Sequence, residues 1–156
     1  MTDESPYHEG MRSLQDVRDT RRIADRLAEV TLRRAFTDED RAFIEMTDRR
    51  MELYLFGTIA NCIRHTHPGL APLEQPQFPD FGHSQGQKMR EVARWLDGEL
   101  ATQPFVADER FTIADITAFC AIEFARGLMK FRPGAEGLSH LQAWRDRIAE
   151  RPSAKA

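Results

Sequence analysis

Apolar residues recur at three- and four-residue spacing along most of this chain, which is the periodicity of amphipathic α-helices. The segments that follow this pattern are, in order, 13–35, 37–67, 84–101, 112–127 and 138–150. The proline-rich stretch 69–82 interrupts it and is predicted to be a loop. No stretch alternates apolar and polar residues as a half-buried strand does. The predicted fold is therefore all-α, a bundle of about five helices with an extra N-terminal amphipathic helix over 13–35.

The most informative short motif is the run from Phe111 to Ile116, because it superimposes two devices that start a helix. Thr112 and Asp115 have the spacing of a capping box, in which two polar side chains satisfy backbone N–H groups reciprocally. Phe111 and Ile116 flank them at the spacing of a hydrophobic staple. Asp115 is also a candidate catalytic carboxylate, but its position in the capping box favours a folding role.

Other predictions concern the core. Trp95 and Trp144 lie at core spacing on their helices, and both are predicted to be packing residues with one polar edge. Cys62 and Cys120 lie far apart inside helical patterns and form no CxxC pair. That placement favours two buried reduced thiols over a disulfide or a metal site.

Composition bounds the class of protein. With 156 residues, 41% of them hydrophobic and 30% charged, the chain has the values of one globular domain. The net charge of −3 is spread over interleaved signs, so a nucleic-acid partner is not expected. No apolar stretch is long enough for a membrane span, and the acidic start shows no signal peptide, so the predicted location is the cytoplasm. We expect an arm and amphipathic helix over 1–36 and a helical domain over 37–156.

Two runs of residues carry a resemblance to a known family. The run from Phe105 to Asp115 resembles the entry to the buried core helix of the glutathione transferase C-terminal domain, and the run from Trp144 to Ala154 resembles the final helix of that domain. The resemblance covers residues from about 45 to 156. It implies that the thioredoxin-like half, which binds glutathione and supplies most catalytic groups in that family, has no counterpart in these residues.

A second resemblance covers the first third of the chain. Residues from about 7 to 45 look like the helical leader of pyridoxamine-phosphate-oxidase-like flavin proteins, without the barrel that would hold the flavin. No cofactor is therefore predicted, and the hypothesis is that two gene fragments meet between about 43 and 50.

The glutathione transferase resemblance also implies a candidate substrate site. In the intact family, a small substrate lies against the inner face of the helix that here ends at Pro68, where Asn61, Arg64 and His65 are the polar candidates. Arg64 could hold an anion, and His65 could stabilise a thiolate or leaving group. Capping of the helix end by these side chains is the favoured alternative. A metal set that includes His65 is the least favoured reading, because its spacing fits no specific ligand pattern, so no metal is predicted.

These observations leave two functions open. The favoured one is a glutathione S-transferase-like protein without the glutathione-binding domain, which serves as a non-catalytic dimerisation or partner-binding helical module. Its partner would be a second copy or a helical or thioredoxin-like protein, because exposed apolar surface requires a cover. The alternative is a glutathione S-transferase that conjugates glutathione to a small electrophile, with the thiol site completed by another chain. Glutathione would then be a co-substrate only in that complex.

Overall fold

A computed structural model describes residues 36–155, and over this range the chain is helical. The five α-helices are α1 (Asp38–Arg50), α2 (Gly57–Thr66), α3 (Pro79–Leu100), α4 (Ile113–Leu128) and α5 (Ser139–Ala149). Three short 3-10 turns lie at Pro68–Leu70, Pro133–Glu136 and Pro152–Ala154. Residues 36–155 contain no strand, so the predicted all-α class is confirmed. The helix expected over 13–35 lies outside the described residues.

A six-residue π-helix, Met51–Phe56, joins α1 to α2, so the predicted helix 37–67 is one continuous rod with a widened turn. The backbone N–H of Gly57 donates to the carbonyl of Glu52, five residues back, as a π turn requires. The hydroxyl of Thr58 donates to the carbonyl of Tyr54 at 2.7 Å and lies 2.9 Å from that of Leu55. This side chain therefore supplies a donor where the widened turn interrupts the regular pattern.

Helix α4 packs against the core mainly through small side chains. The inward face consists of four alanines and one isoleucine, all fully buried: Ala114, Ala118, Ala121, Ile122 and Ala125. Alanine lets neighbouring helix backbones approach closely, and apart from Ile122 the large apolar residues of α4 lie half-buried or exposed. The prediction of two buried thiols is consequently half wrong, because Cys62 is buried but Cys120 is exposed.

Helix α3 corrects two further expectations. It begins at Pro79, which lies in the first turn of the helix. The predicted loop 69–82 therefore extends past the observed start of α3. Trp95 is 41% exposed, whereas it was expected to pack in the core. The buried stripe of α3 runs through Met89, Ala93 and Leu96, and Trp95 lies on its flank. Trp144 on α5 is 1% exposed and packs as expected.

No helix in residues 36–155 is both long and apolar enough to cross a bilayer.

Helices α2 and α3 cross closely at Gly82. A Cβ atom at this position would lie 2.6 Å from Cγ2 of Thr66 and 3.1 Å from the carbonyl oxygen of Cys62. We expect Gly82→Ala to lower the free energy of unfolding by about 1–3 kcal/mol, because the helices must separate. Urea unfolding followed by circular dichroism measures this change.

The matched control is Gly98→Ala, on the same helix, where nothing lies within 4 Å of the added carbon. Alanine there should raise the free energy of unfolding by about 0.5–1 kcal/mol through helix propensity alone. Equal shifts of the same sign in both variants would argue against a close crossing at Gly82.

Candidate functional site

Asp115 is the most highly connected side chain of the described core. It is fully buried, and its Oδ2 accepts from the backbone N–H of Thr112 at 2.9 Å and from the Thr112 hydroxyl at 3.3 Å. Its Oδ1 accepts from the backbone N–H of Val106 and from Nε1 of Trp144, both at 3.0 Å. Thr112 and Asp115 thus form a capping box whose carboxylate also holds the preceding loop and α5.

The environment of Asp115 is that of a structural anchor. Burial raises the pKa of its carboxyl group, while the bonds from Val106, Thr112 and Trp144 act in the opposite direction. Each carboxylate oxygen is engaged by two donors from the protein itself. A substrate would have to displace these donors to reach the carboxylate, so the geometry supports a role in folding.

The two apolar residues around the capping box differ in exposure, since Phe111 is half-buried and Ile116 is exposed. The ring of Phe111 lies edge-on to Phe105, with centroids 6.0 Å apart, and the guanidinium carbon of Arg151 lies 3.8 Å from its centroid. Phe111 therefore ties the loop before α4 to the segment that follows α5. Ile116 is 36% exposed, on the outer side of α4.

The candidate substrate residues lie on the last turns of α2, where two of them contact the loop that leads to α3. Arg64 pairs with Glu74 at 2.9 Å. Nδ1 of His65 accepts from the backbone N–H of Phe78 at 3.3 Å, and the His65 ring contacts Phe81 edge-on, with centroids 5.1 Å apart. Asn61 lies half-buried on α2. The contacts of Arg64 and His65 stabilise the connection between two helices, and a ligand role for them stays a prediction.

The residues that the structure describes contain no cluster of three or more histidine, cysteine, aspartate or glutamate side chains suited to a metal ion.

A continuous apolar surface runs along the outer side of α4. We call it the apolar face and define it by five side chains that are each between 36% and 50% exposed: Phe56, Ile113, Ile116, Phe124 and Leu128. The four from α4 follow three- and four-residue steps interrupted only by Cys120, and Phe56 packs beside Phe124 with centroids 5.8 Å apart. Sequence periodicity could not reveal this surface, because α4 is apolar on both sides and only the alanine stripe distinguishes the inward one.

A concave surface lies elsewhere, between the α1–π-helix segment and α3. Among the described residues, it is lined by Arg50, Met51 and Tyr54 on one side and by Glu91, Val92 and Trp95 on the other. Its volume is about 440 Å³. We call it the Trp95 groove. The charged residues that precede Arg50 have partners within the protein. Asp48 accepts from the Thr117 hydroxyl at 2.6 Å, and Arg49 pairs with Glu45 and Glu52.

Known proteins are similar to this chain over about three quarters of its length. Residues 82–152 match the family described as "Glutathione S-transferase, C-terminal domain". The chain is 32% identical over 120 residues to Glutathione S-transferase 2 of Saccharomyces cerevisiae, an alignment that covers 76% of this chain and 51% of that protein. The chain thus spans about half the length of this curated relative.

Two solved structures share the fold. A glutathione S-transferase domain-containing protein of Marinobacter aquaeolei superimposes with a TM-score of 0.71 at 38% identity, covering 77% of this chain and 58% of that one. Gtt2 of Saccharomyces cerevisiae gives a TM-score of 0.72 at 32% identity, covering 78% and 58%. These matches do not support the flavin-protein resemblance of residues 7–45, which stays a prediction. Residues 82–152 therefore match the C-terminal domain family of glutathione S-transferases, and the described residues share the helical fold of two such proteins.

Proposed function

We propose that this chain is a non-catalytic, glutathione S-transferase-like helical module that associates with a second copy of itself through the apolar face. The observation that carries the proposal is the line of exposed large apolar side chains on α4 and the neighbouring Phe56. Contiguous exposed apolar patches mark interfaces in soluble proteins, because leaving them in water costs free energy.

The shape of the apolar face favours a symmetric dimer. Helix α4 has 16 residues, so its stripe is roughly 24 Å long. Ile113 and Leu128 mark its two ends, and Cys120 lies close to its middle. Two such stripes can pack antiparallel about a two-fold axis near Cys120, which would bury the same residues on both copies. A helical or thioredoxin-like protein in place of the second copy is the competing occupant.

The contacts of the candidate substrate residues also support a non-catalytic role. Arg64 pairs with Glu74, and His65 accepts from the backbone N–H of Phe78. Both side chains that a ligand would need are therefore in contact with the protein itself. The relatives named glutathione S-transferases are longer proteins, and the chain spans 51% of the curated one and 58% of the two solved ones.

Calorimetry with glutathione tests that alternative. We expect no saturable heat when millimolar glutathione is titrated into the isolated chain, because positioning of the thiol would depend on main-chain and side-chain groups that this site does not offer. A saturable heat that Arg64→Ala or His65→Ala abolishes would favour conjugation. The control variant is Arg94→Ala, at an exposed position of α3.

A further inference from the structure

We propose that the end of α5 carries an anion site, in which Arg147 and Arg151 bind a doubly charged phosphate group, either free or as a monoester. Arg147 lies in the last turn of α5, and Arg151 follows the end of the helix by two residues. Neither arginine belongs to the apolar face, so the inference goes beyond self-association and does not depend on it.

The guanidinium of Arg151 is held by an aromatic ring and not by a carboxylate. Its Cζ atom lies 3.8 Å from the centroid of Phe111, which is the distance of a close cation–π contact. Its Nε–H is buried without an acceptor, and the side chain forms no ion pair or hydrogen bond within residues 36–155. The described part of the protein therefore fixes the position of this positive charge but does not compensate it.

Arg147 adds a second guanidinium to the same pair of rings. Its Cζ atom lies 5.3 Å from the centroid of Phe105, whose ring lies edge-on to Phe111 with centroids 6.0 Å apart. An Nη2–H of Arg147 donates to the carbonyl of Pro104, and no carboxylate among residues 36–155 pairs with this side chain. Two cations thus lie against one pair of rings without an ion-pair partner, which attracts an anion of more than one charge.

Contact with a ring prepares a guanidinium for an oxyanion. A guanidinium that lies on an aromatic ring keeps its N–H donors at its edge, where two of them can bind oxygen atoms in parallel. Because the ring already restricts the Arg151 side chain, less conformational entropy is lost when an anion binds. The buried Nε leaves the two Nη groups as the donors for a ligand. A phosphate group fits these donors because it combines about two negative charges with several strong acceptor oxygens.

Calorimetry with inorganic phosphate, phenyl phosphate and acetate tests this selection for charge. At about pH 8, where phosphate is doubly charged, we expect saturable binding of phosphate in the millimolar range. Acetate should bind about tenfold more weakly, because it has one charge and fewer acceptor oxygens. If phenyl phosphate binds at least as tightly as inorganic phosphate, the ligand is a monoester, and if it binds more weakly, the ligand is the free ion.

Substitution of the two arginines tests the location of the site. Arg151→Gln should weaken phosphate binding by about tenfold, and Arg147→Gln should weaken it by about threefold, since one N–H of Arg147 is already engaged. Arg151→Lys should weaken it by about threefold, because it keeps the charge but loses the paired donors. The matched control is Arg94→Gln, at an exposed arginine of α3 that also has no ion-pair partner among the described residues, and it should bind phosphate as the natural chain does.

Three outcomes would overturn the anion site. The first is the absence of saturable heat when millimolar phosphate is titrated into the natural chain. The second is an unchanged phosphate affinity in Arg151→Gln and Arg147→Gln, with circular dichroism showing that both variants are folded. The third is loss of phosphate binding in Phe124→Glu, which alters the apolar face and leaves both arginines in place. Normal phosphate binding by a Phe124→Glu variant that no longer self-associates would separate this site from the proposed dimer.

Discussion

Replacement of Asp115 by asparagine should lower the free energy of unfolding by about 2–4 kcal/mol, because each buried donor left without an acceptor costs about 1–3 kcal/mol. The two oxygens of Asp115 accept from Val106 and Trp144 on one side and from Thr112 on the other. Asparagine keeps the size but turns an NH₂ group toward one of these sets of donors. Two donors then face each other in the core, and at least one buried N–H loses its acceptor.

Asp97→Asn is the matched control for this substitution. Oδ1 of Asp97 accepts from the backbone N–H of Leu141 at 2.8 Å, and no other bond to this carboxylate is seen within residues 36–155. The carbonyl oxygen of asparagine can keep that bond, so the loss should be about 1 kcal/mol or less. Urea unfolding followed by circular dichroism gives both values. Similar losses at both positions would mean that the donors around Asp115 do not act as a network.

Introduction of a charge into the apolar face should abolish self-association. We expect Phe124→Glu to weaken the dimer by about thirtyfold or more, since loss of a central aromatic contact costs about 2 kcal/mol or more and the new carboxylate must also be desolvated. Phe124 is 39% exposed in the single chain and packs beside Phe56, so the substitution should lower the free energy of unfolding of the monomer by only about 1–2 kcal/mol and leave it folded. Sedimentation equilibrium measures the association constant.

The matched control places the same charge elsewhere on the surface. Leu73 is 81% exposed in the connection between α2 and α3, and it lies outside the apolar face. Leu73→Glu should leave the association constant unchanged. If the natural chain is monomeric at all accessible concentrations, a second copy is not the partner, and a helical or thioredoxin-like protein becomes the occupant to seek.

Local signals in the sequence were sufficient to predict where α4 begins. The capping box of Thr112 and Asp115 depends on residues three positions apart, so it could be identified without knowledge of the fold. The additional bonds of Asp115 to Val106 and Trp144 could not, because they join segments that the chain brings together only on folding.

The orientation of helix faces depends on contacts between distant segments. In α4 both sides are apolar, and close packing through Ala118 and Ala121 determines that the small side turns inward. Trp95 lies one position before the fully buried Leu96, and adjacent positions on an α-helix are about 100° apart around its axis, so one side chain can face the core while the other lies on the flank. The sequence periodicity predicted that these helices exist, but not which exact residues their neighbours would cover.

Cross-linking through Cys120 is the most direct test of the proposed dimer. Cys120 is exposed near the middle of α4, whereas Cys62 is buried, so a short bismaleimide should react at one site per chain. Partial desolvation of the thiol by its neighbours and the charge of the nearby Glu123 raise the pKa of Cys120, so the reaction should require a mildly alkaline pH. We expect a covalent dimer that Cys120→Ser abolishes and that Phe124→Glu suppresses. Modification of Cys120 without any covalent dimer, at concentrations where sedimentation shows association, would contradict packing of two copies through the apolar face.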